Sequence, residues 1–393
     1  MPEIESSPTV PLSLRTLQIG DDWIGDQEGG LARYYYELIR HLPGTGTSAK
    51  GLVVGTEKAA LATGGQTVAF SDVDSPMLKR LRLGRKAAIR EIDGKRIDLV
   101  VSHFALYALP IADRLRSFPN VTHFHGPWAA ESVMERSTGL RSRLKATLEK
   151  TVYRRADRLI VLSKSFESEL VKNYGVVEER IRVVPGGVDS ERFNLAGSRA
   201  DARRSLNWPL DRPIVLSVRR QVRRMGLESL IDAATRIVKV HPTVLILLGG
   251  SGPITGELAA RIQELGLTDS VRQLGRVPDS DLPTAYRAAD MTVVPSTGLE
   301  GFGLITLESL AAGTPVFVTP VGGLADAVTP FAPQCVFAGT GSEVIASTLC
   351  EALGGAIPMP TEAECRRHAE KYSWGVIAAK VRSIYDEALA RGR

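Results

Sequence analysis

The sequence predicts an α/β protein built from two doubly wound, Rossmann-like domains. A chain of 393 residues exceeds one ordinary hydrophobic core and suits two domains. Short apolar, β-branched runs alternate with helical or loop segments, which is typical of parallel sheets covered by helices. The alternation pauses near residue 187 and restarts near residue 214. We therefore expect a first domain over residues 1–187 and a second over residues 188–372.

The predicted elements follow in order along the chain. Paired glycines at 29–30 predict the start of a helix over residues 31–42, and a polar, irregular segment over 190–212 predicts a linker. In the second domain, apolar residues at 227, 230, 231, 234, 237 and 238 recur at helical spacing, which predicts one core-facing stripe. The predicted strands cover residues 14–19, 51–54, 98–102, 121–124, 158–162, 181–184, 214–218, 244–248, 291–295 and 315–319.

Composition narrows the class of protein. With 44% hydrophobic and 24% charged residues, the chain is typical of a globular α/β protein, and it contains no apolar run of the roughly 18 residues that span a bilayer. Residues 1–11 lack the basic-then-apolar pattern of a secretory signal. Three cysteines without metal-ligand spacing fit a reducing compartment. These features predict a cytoplasmic location.

Positive charge is concentrated in the first half of the chain. Residues through Ser205 hold 31 lysines and arginines against 25 acidic residues, whereas the remainder holds 18 against 19. Two readings stay open: a solvated helix face, or a peripheral contact with an anionic membrane at its inner face. Nucleic acid is excluded as a partner because no aromatic residues alternate with these charges. The basic segments are Lys79, Arg80, Arg82, Arg85, Lys86 and Arg90, followed by Arg136, Arg141, Arg143, Lys145, Lys150, Arg154, Arg155 and Arg158.

The stretch over residues 296–308 carries the clearest chemical signal. It joins a short β-branched strand to a helix, and Gly301 and Gly303 lie at the turn. Glycines there let the backbone approach a ligand, while free N–H groups at the start of the helix favour phosphate. Glu300 and Glu308 can accept hydrogen bonds from sugar hydroxyls but would repel phosphate. The ligand that fits is a phosphate flanked by two polyols, as in a nucleotide sugar.

Glu300 and Glu308, separated by seven residues and enclosing Gly-Phe-Gly-Leu, resemble the EX7E motif of retaining GT-B glycosyltransferases of family 4, the glycogen-synthase-like enzymes. The resemblance implies two Rossmann-like domains facing a cleft, with a C-terminal helix over 373–393 crossing back to the first domain. In that family the first glutamate contacts the donor sugar, the turn contacts sugar and diphosphate, and the second glutamate holds the ribose. Those roles carry over to Glu300, Gly301, Phe302, Gly303, Leu304 and Glu308.

Other segments are similar to family positions. Gly29 and Gly30 match the loop that faces the donor diphosphate, and Arg276 and Val277 match the place where the nucleobase is held. His125, which precedes Gly126, matches the histidine beneath the donor sugar. The resemblance assigns His125 to the sugar and acceptor site. His103 and Glu131 are further acceptor candidates, although a buried, hydrogen-bonded histidine is an open alternative for each imidazole.

One position departs from the family pattern. Relatives carry an arginine and, five residues later, a lysine, and both reach the donor diphosphate. Arg220 matches the arginine, but Met225 stands in place of the lysine. Either Arg223 or Arg224 replaces the missing cation, or the site has lost it. We assign donor contacts to Arg220 and Arg224 and expect His125, Arg220 and Glu300 to matter most for catalysis.

The resemblance implies transfer of a hexosyl group, with retention, from a nucleotide-diphosphate sugar to a hydroxyl of a glycan, lipid or small-molecule acceptor. It implies no enzymic nucleophile, no cofactor and no metal. Two Asp-x-Asp strings, at 72–74 and 279–281, are discounted as metal ligands because such pairs arise readily in polar turns. The alternatives are a nucleotide-sugar epimerase of the same fold and a catalytically inactive nucleotide-sugar-binding protein.

Overall fold

Two parallel sheets organise the chain. The computed structural model describes residues 13–26, 29–94, 97–127 and 140–391. The strands of the first sheet are β1 Leu14–Asp22, β2 Thr47–Val54, β3 Thr67–Ser71, β4 Leu99–Ser102, β5 Asn120–Phe124, β6 Arg158–Val161 and β7 Ile181–Val183, and those of the second are β8 Ile214–Val218, β9 Leu245–Gly249, β10 Val271–Gly275, β11 Met291–Val294 and β12 Val316–Val318. The first sheet has the strand order β3-β2-β1-β4-β5-β6-β7, and the second has the order β10-β9-β8-β11-β12.

Helices cover both sheets. Those of the first domain and the segment after it are α1 Gly30–His41, α2 Lys58–Ala62, α3 Met77–Gly94, α4 Ala105–Ala108, α5 Leu140–Tyr153, α6 Lys164–Glu169, α7 Ser190–Phe193 and α8 Arg199–Ser205. The later ones are α9 Leu227–Val240, α10 Thr255–Glu264, α11 Leu282–Ala288, α12 Leu304–Ala311, α13 Leu324–Val328, α14 Ser342–Leu353, α15 Glu362–Glu370 and α16 Trp374–Arg391. Alternation of strand and helix confirms the predicted α/β class.

The order of strands places the ligand edge of each sheet. Chain order reverses between β1 and β4 in the first sheet and between β8 and β11 in the second. In open parallel sheets, ligands bind beyond the carboxyl ends of the strands at such switch points. The segments after β1, β4, β8 and β11 are therefore the ones to inspect, and they contain most of the predicted site residues.

The core of the second domain confirms the predicted helical stripe. Leu227, Leu230, Ile231, Ala234 and Ile237 are buried on α9. They pack in one cluster with the strand residues of β8 and β9. Burying a large aliphatic side chain contributes about 1.5–3 kcal/mol, so this face holds α9 on the sheet.

The C-terminal helix α16 returns to the first domain, as expected. Trp374, Ile377, Val381 and Tyr385 are buried against residues of α1 and of the first sheet. Just before the helix, the Val188 N–H donates to the carbonyl of Tyr372 at 2.9 Å. The chain thus crosses between domains twice at one place, after β7 and before α16.

The segment over 190–212 is not the irregular linker that its polarity suggested. It contains α7 and α8, and α8 begins with a capping box in which Ser198 and Asp201 each accept from the other's backbone N–H. Arg203 of α8 is buried, and its guanidinium lies 2.7 Å from Asp290. Local capping and the ion pair of the buried Arg203 therefore order a stretch that has few apolar residues.

Candidate active site

The glycine-rich turn joins β11 to α12 at the switch point of the second sheet. Leu299 has a φ of 47°, which is unusual for a residue with a side chain, and Gly303 has a φ of 73° as the residue that precedes α12. A side chain at Gly303 would place its Cβ 2.4 Å from Leu324, so the position requires glycine. The carbonyl of Leu299 accepts from Arg224 Nη1 at 3.0 Å. A strained turn held in this way is a common feature of ligand sites.

Glu300 is fixed and ionised inside this turn. Arg219 Nη2 donates to Glu300 Oε2 at 2.6 Å, and the Ser296 hydroxyl donates to the same oxygen at 2.9 Å. Burial opposes ionisation of Glu300, but the charge of Arg219 and these hydrogen bonds outweigh it, so the pKa of Glu300 lies below its usual value. The carboxylate can accept hydrogen bonds and is a poor proton donor at neutral pH.

Glu308, eight residues after Glu300, lies on α12. It is 6% exposed, and Glu308 Oε2 accepts from the Tyr286 hydroxyl at 3.2 Å. Burial raises the pKa of Glu308, although Arg33 and Arg192 act in the opposite direction. Arg33 Nε is 3.9 Å from Glu308 Oε1. The second glutamate of the motif therefore faces the first domain, as a ribose-binding residue in a cleft would.

Arg33 of the first domain makes this contact with the second domain. It lies in the first turn of α1, three residues after Gly30, and its guanidinium also pairs with Asp279. Asp279 is held in addition by Arg192, whose Nη2 lies 2.9 Å away. The predicted diphosphate loop of the first domain thus faces the second domain. Because two guanidinium groups occupy Asp279, the 279–281 string has no free carboxylate pair there for a metal.

The arginines of the loop after β8 have different surroundings, and the donor contacts assigned to Arg220 and Arg224 stay a prediction. Arg220 is exposed, whereas Arg219, which the sequence reasoning passed over, is 7% exposed and pairs with Glu300. Arg223 lies on the surface, where it pairs with Glu228 and Glu257. Arg224 is the residue of the pair 223 and 224 that reaches the glycine-rich turn. Arg219 follows a strand whose first four residues are all buried, so no alternation in the sequence indicates which of the two adjacent arginines points inward.

The remaining turn residues have distinct surroundings. Phe302 is 3% exposed and packs in the second core, so only its backbone can face a ligand. Leu304 fills the space beside Gly186, where a Cβ would lie 2.2 Å from Leu304 Cδ2. A side chain at position 186 would therefore require Leu304 to shift. Gly301 is similarly close to Phe166 of the first domain. The turn is therefore pressed against the first domain.

Arg276 and Val277 follow β10, on the same edge of the sheet. Arg276 is exposed, and Val277 is half-buried next to Gly249 at the end of β9. Their strand, β10, lies two strands from β8, on the side away from β11 and the glycine-rich turn. Their assignment to the nucleobase stays a prediction that this location allows.

Three histidines stack at the carboxyl edge of the first sheet. The ring centroids of His103 and His123 are 4.3 Å apart, and those of His123 and His125 are 6.0 Å apart, with interplanar angles of 16° and 9°. Burial lowers the pKa of each imidazole, to about 3 for His125. All three are therefore neutral at physiological pH. Tyr34 of α1 packs on His125 with its ring centroid 4.7 Å away.

The stack is held by hydrogen bonds. His123 Nδ1 lies 3.2 Å from the Tyr34 hydroxyl, and its Nε2 lies 3.3 Å from the Tyr385 hydroxyl. His103 Nε2 lies 2.9 Å from Gln18 Oε1. Nearly parallel rings do not direct their lone pairs at one point, and both nitrogens of His123 are engaged. The geometry therefore favours a hydrogen-bonded stack over a metal centre, although ligand atoms of the three side chains lie within 4.8 Å of one another.

The histidines differ in access to the cleft. His103 is 1% exposed and lies in the interior beside Gln18, so its predicted contact with an acceptor has no support from its position. His125 is half-buried at the end of β5, and its Nε2 has no hydrogen-bond partner among the described residues. His103 Nδ1 is likewise buried without a partner among those residues, so the half-buried ring of His125 is what distinguishes it within the stack. Glu131, the third acceptor candidate, lies outside the described residues.

Comparison with known proteins agrees with this architecture. A family model described as "Glycosyltransferase Family 4" matches residues 28–192, and one described as "Glycosyl transferases group 1" matches residues 198–383. The chain is similar to D-inositol 3-phosphate glycosyltransferases, with 34% identity to that of Acidothermus cellulolyticus over 62% of this chain and 56% of the relative. Identity to the Corynebacterium jeikeium relative is 31%, over 75% of this chain and 73% of the relative. The chain thus spans little more than half of some relatives.

Solved structures give the fold. A sucrose-phosphate synthase from Thermosynechococcus elongatus superposes with a TM-score of 0.76 at 23% identity, covering 96% of this chain and 100% of that one. Anabaena HepE, solved in complex with UDP and glucose, superposes with a TM-score of 0.77 at 19% identity, covering 95% and 100%. Two parallel-sheet domains, paired glutamates at the second switch point and these relatives together place the chain in the GT-B glycosyltransferases of family 4.

Proposed function

We propose that the protein transfers a hexosyl group from a nucleotide-diphosphate sugar to an acceptor hydroxyl, with retention of configuration. The observation that carries the proposal is the buried pair of Glu300 and Arg219 at the switch point of the second sheet, with Glu308 eight residues further on. Glu300 presents an ionised acceptor for sugar hydroxyls, and Glu308 presents a second carboxylate for the ribose. The relatives that act as glycosyltransferases support the same reaction class.

The reaction follows from the groups in the cleft. The bond between the sugar's anomeric carbon and the phosphate oxygen breaks, and its electron pair stays on the departing phosphate. The acceptor oxygen bonds to the same face of that carbon, and its proton passes to the phosphate oxygen. Glu300, already ionised and doubly hydrogen-bonded, positions the sugar and is not assigned as nucleophile. Donors aimed at the leaving group, from the starts of α1 and α12 and from nearby arginines, supply the stabilisation.

The acceptor side is formed by the first domain. We propose that His125 lies beneath the transferred sugar and, with Glu131, borders the acceptor. The relatives named D-inositol 3-phosphate glycosyltransferase suggest a phosphorylated polyol as one acceptor to test, beside glycan and lipid-linked hydroxyls. We also propose that no metal or other cofactor takes part, so activity should persist in EDTA. Loss of activity on chelation that Mg²⁺ or Mn²⁺ restores would contradict this.

Two rivals remain as outcomes of an assay. An epimerase of the same fold would convert the donor sugar without any acceptor, and a binding protein would leave the donor intact. Neither is favoured, because the relatives named for an activity are transferases. Incubation of the purified protein with nucleotide sugars, with and without acceptors, distinguishes the three by their products.

Substitution of the two glutamates tests the donor site. A nucleotide sugar that binds only the folded state raises the melting temperature, so thermal-shift screening with UDP-, GDP-, ADP- and dTDP-sugars identifies the donor. Glu308→Gln should weaken nucleotide binding and reduce the shift. Glu300→Gln should largely keep the nucleotide-induced shift but lower kcat/KM by roughly a hundredfold or more. Wild-type kinetics in both folded variants would contradict the assignment.

A further inference from the structure

We propose that Arg219 binds the diphosphate of the donor, holding Glu300 with one nitrogen and the leaving phosphate with the other. The inference rests on the proposed function and adds to it a residue that family position does not assign. Arg219 directly follows β8 at the switch point, and its side chain is 5% exposed. Gly250 packs against the backbone carbonyl of Arg219, and a Cβ at Gly250 would lie 2.0 Å from the carbonyl oxygen.

One terminal nitrogen of the Arg219 guanidinium is hydrogen-bonded and the other is not. Nη2 donates to Glu300 Oε2 and lies 2.7 Å from the Met225 sulfur. Nη1 is buried and has no hydrogen-bond acceptor among the described residues. A buried donor without a partner costs about 1–3 kcal/mol, and more when it is charged. An acceptor supplied by a bound ligand would remove that cost.

The charge around Arg219 and the covalent structure of a nucleotide sugar identify the hydrogen-bond acceptor of Nη1. Glu300 is flanked by Arg219 and Arg224, so the group of three carries a net positive charge, which favours an anionic oxygen over a hydroxyl. In a nucleotide sugar, the sugar is bonded to the phosphate that is distal to the nucleoside. A guanidinium that holds the sugar-binding carboxylate with one nitrogen therefore has the distal phosphate within reach of the other.

Met225 fits this arrangement. It is 9% exposed, and its sulfur lies against the guanidinium of Arg219. A cationic side chain at 225 would place its charge beside that of Arg219, so a neutral thioether is the compatible neighbour. Arg219 supplies next to Met225 the positive charge that position 225 itself lacks.

The test is calorimetric titration with nucleoside diphosphates and monophosphates. Because removing Arg219 alone would leave Glu300 buried without its ion-pair partner, the comparison is made between Glu300→Gln and Arg219→Gln/Glu300→Gln. The probes are UDP, GDP, ADP and dTDP, each with its monophosphate. The second variant should bind the preferred diphosphate roughly tenfold to a hundredfold more weakly, with monophosphate affinity unchanged. Arg223→Gln, an exposed arginine of the same loop, is the matched control and should bind as wild type does.

Each outcome is decisive. Equal diphosphate affinity in Glu300→Gln and Arg219→Gln/Glu300→Gln would overturn the role of Arg219 and leave the proposed function intact. Parallel loss of diphosphate and monophosphate affinity would assign Arg219 to folding of the site and also overturn it. Failure of the wild-type protein to bind any of the four diphosphates would overturn both proposals.

Discussion

Single residues decide where charge lies in this cleft. The paired glutamates and the glycines between them could be predicted from the sequence, because their spacing and residue types express the chemistry directly. Arg219 could not, because which of two adjacent arginines turns inward depends on the register of β8 against β11. The stacking of His103, His123 and His125 was also hidden, since it needs neighbouring strands and Tyr385 from the far end of the chain.

The histidine stack predicts a pH dependence of stability. Between pH 5 and 6 an unfolded histidine, with a pKa of about 6.5, binds a proton that buried His103 does not. The unfolded state then binds more protons, so this residue makes the free energy of unfolding rise with pH. His103→Gln should lower the slope by up to about 1.4 kcal/mol per pH unit. Urea unfolding of both proteins at several pH values measures it, and identical slopes would contradict the buried neutral state.

At the scale of elements, the strands that were missed are informative. β3 and β10 are edge strands of their sheets, and both carry half-exposed or exposed positions in place of a continuous apolar run. Central strands such as β8 and β9 are apolar apart from Ser217 and were predicted within two residues. A strand at the edge of a sheet is less completely buried than a central strand, so its hydrophobic pattern in the sequence is weak. Such a strand is recognised from its pairing with a neighbour, which the sequence does not show.

Helix α1 predicts a measurable link between the domains. Arg33 pairs with Asp279 across the cleft and lies 3.9 Å from Glu308. Partly exposed pairs of this kind contribute about 1 kcal/mol or less, enough to bias the opening of a hinge. Arg33→Ala should therefore increase the radius of gyration of the ligand-free protein in small-angle X-ray scattering. Arg40→Ala removes an arginine of the same helix whose ion pair is with Glu37 of that helix, and it should not increase the radius. Equal radii for the two variants would refute the link.

At the scale of the whole molecule, the basic surface of the first domain bears on contact with a membrane. None of the helices among residues 13–26, 29–94, 97–127 and 140–391 is both long and apolar enough to cross a bilayer. The first basic segment lies on α3. Exposed cations at 79, 82, 86 and 90 share one helix face, and Leu78 beside them is 82% exposed. In the second basic segment, Arg158 is buried and paired with Glu387, so it is unavailable for such a surface.

We propose that this face of α3 contacts anionic membrane. The protein should sediment with vesicles that contain anionic phospholipid, and less so as salt rises, since exposed charges are screened beyond about 10 Å at 0.1 M salt. Replacement of Lys79, Arg82, Lys86 and Arg90 by glutamine should abolish sedimentation. The control removes equal charge from the second domain, at Arg236, Lys239, Arg272 and Lys371. Wild-type protein that stays in the supernatant at low salt, or equal loss in both variants, would contradict the proposal.

We propose that this cleft transfers a sugar from its nucleotide diphosphate with retention of configuration. The most direct measurement is proton NMR of the first-formed product, made with the donor that thermal-shift screening selects and with the acceptor that it glycosylates. Because the acceptor attacks from the face that the phosphate leaves, an α-linked donor should give an α-linked product in the earliest spectra. A β-linked first product, or an altered donor sugar without transfer to the acceptor, would contradict the account.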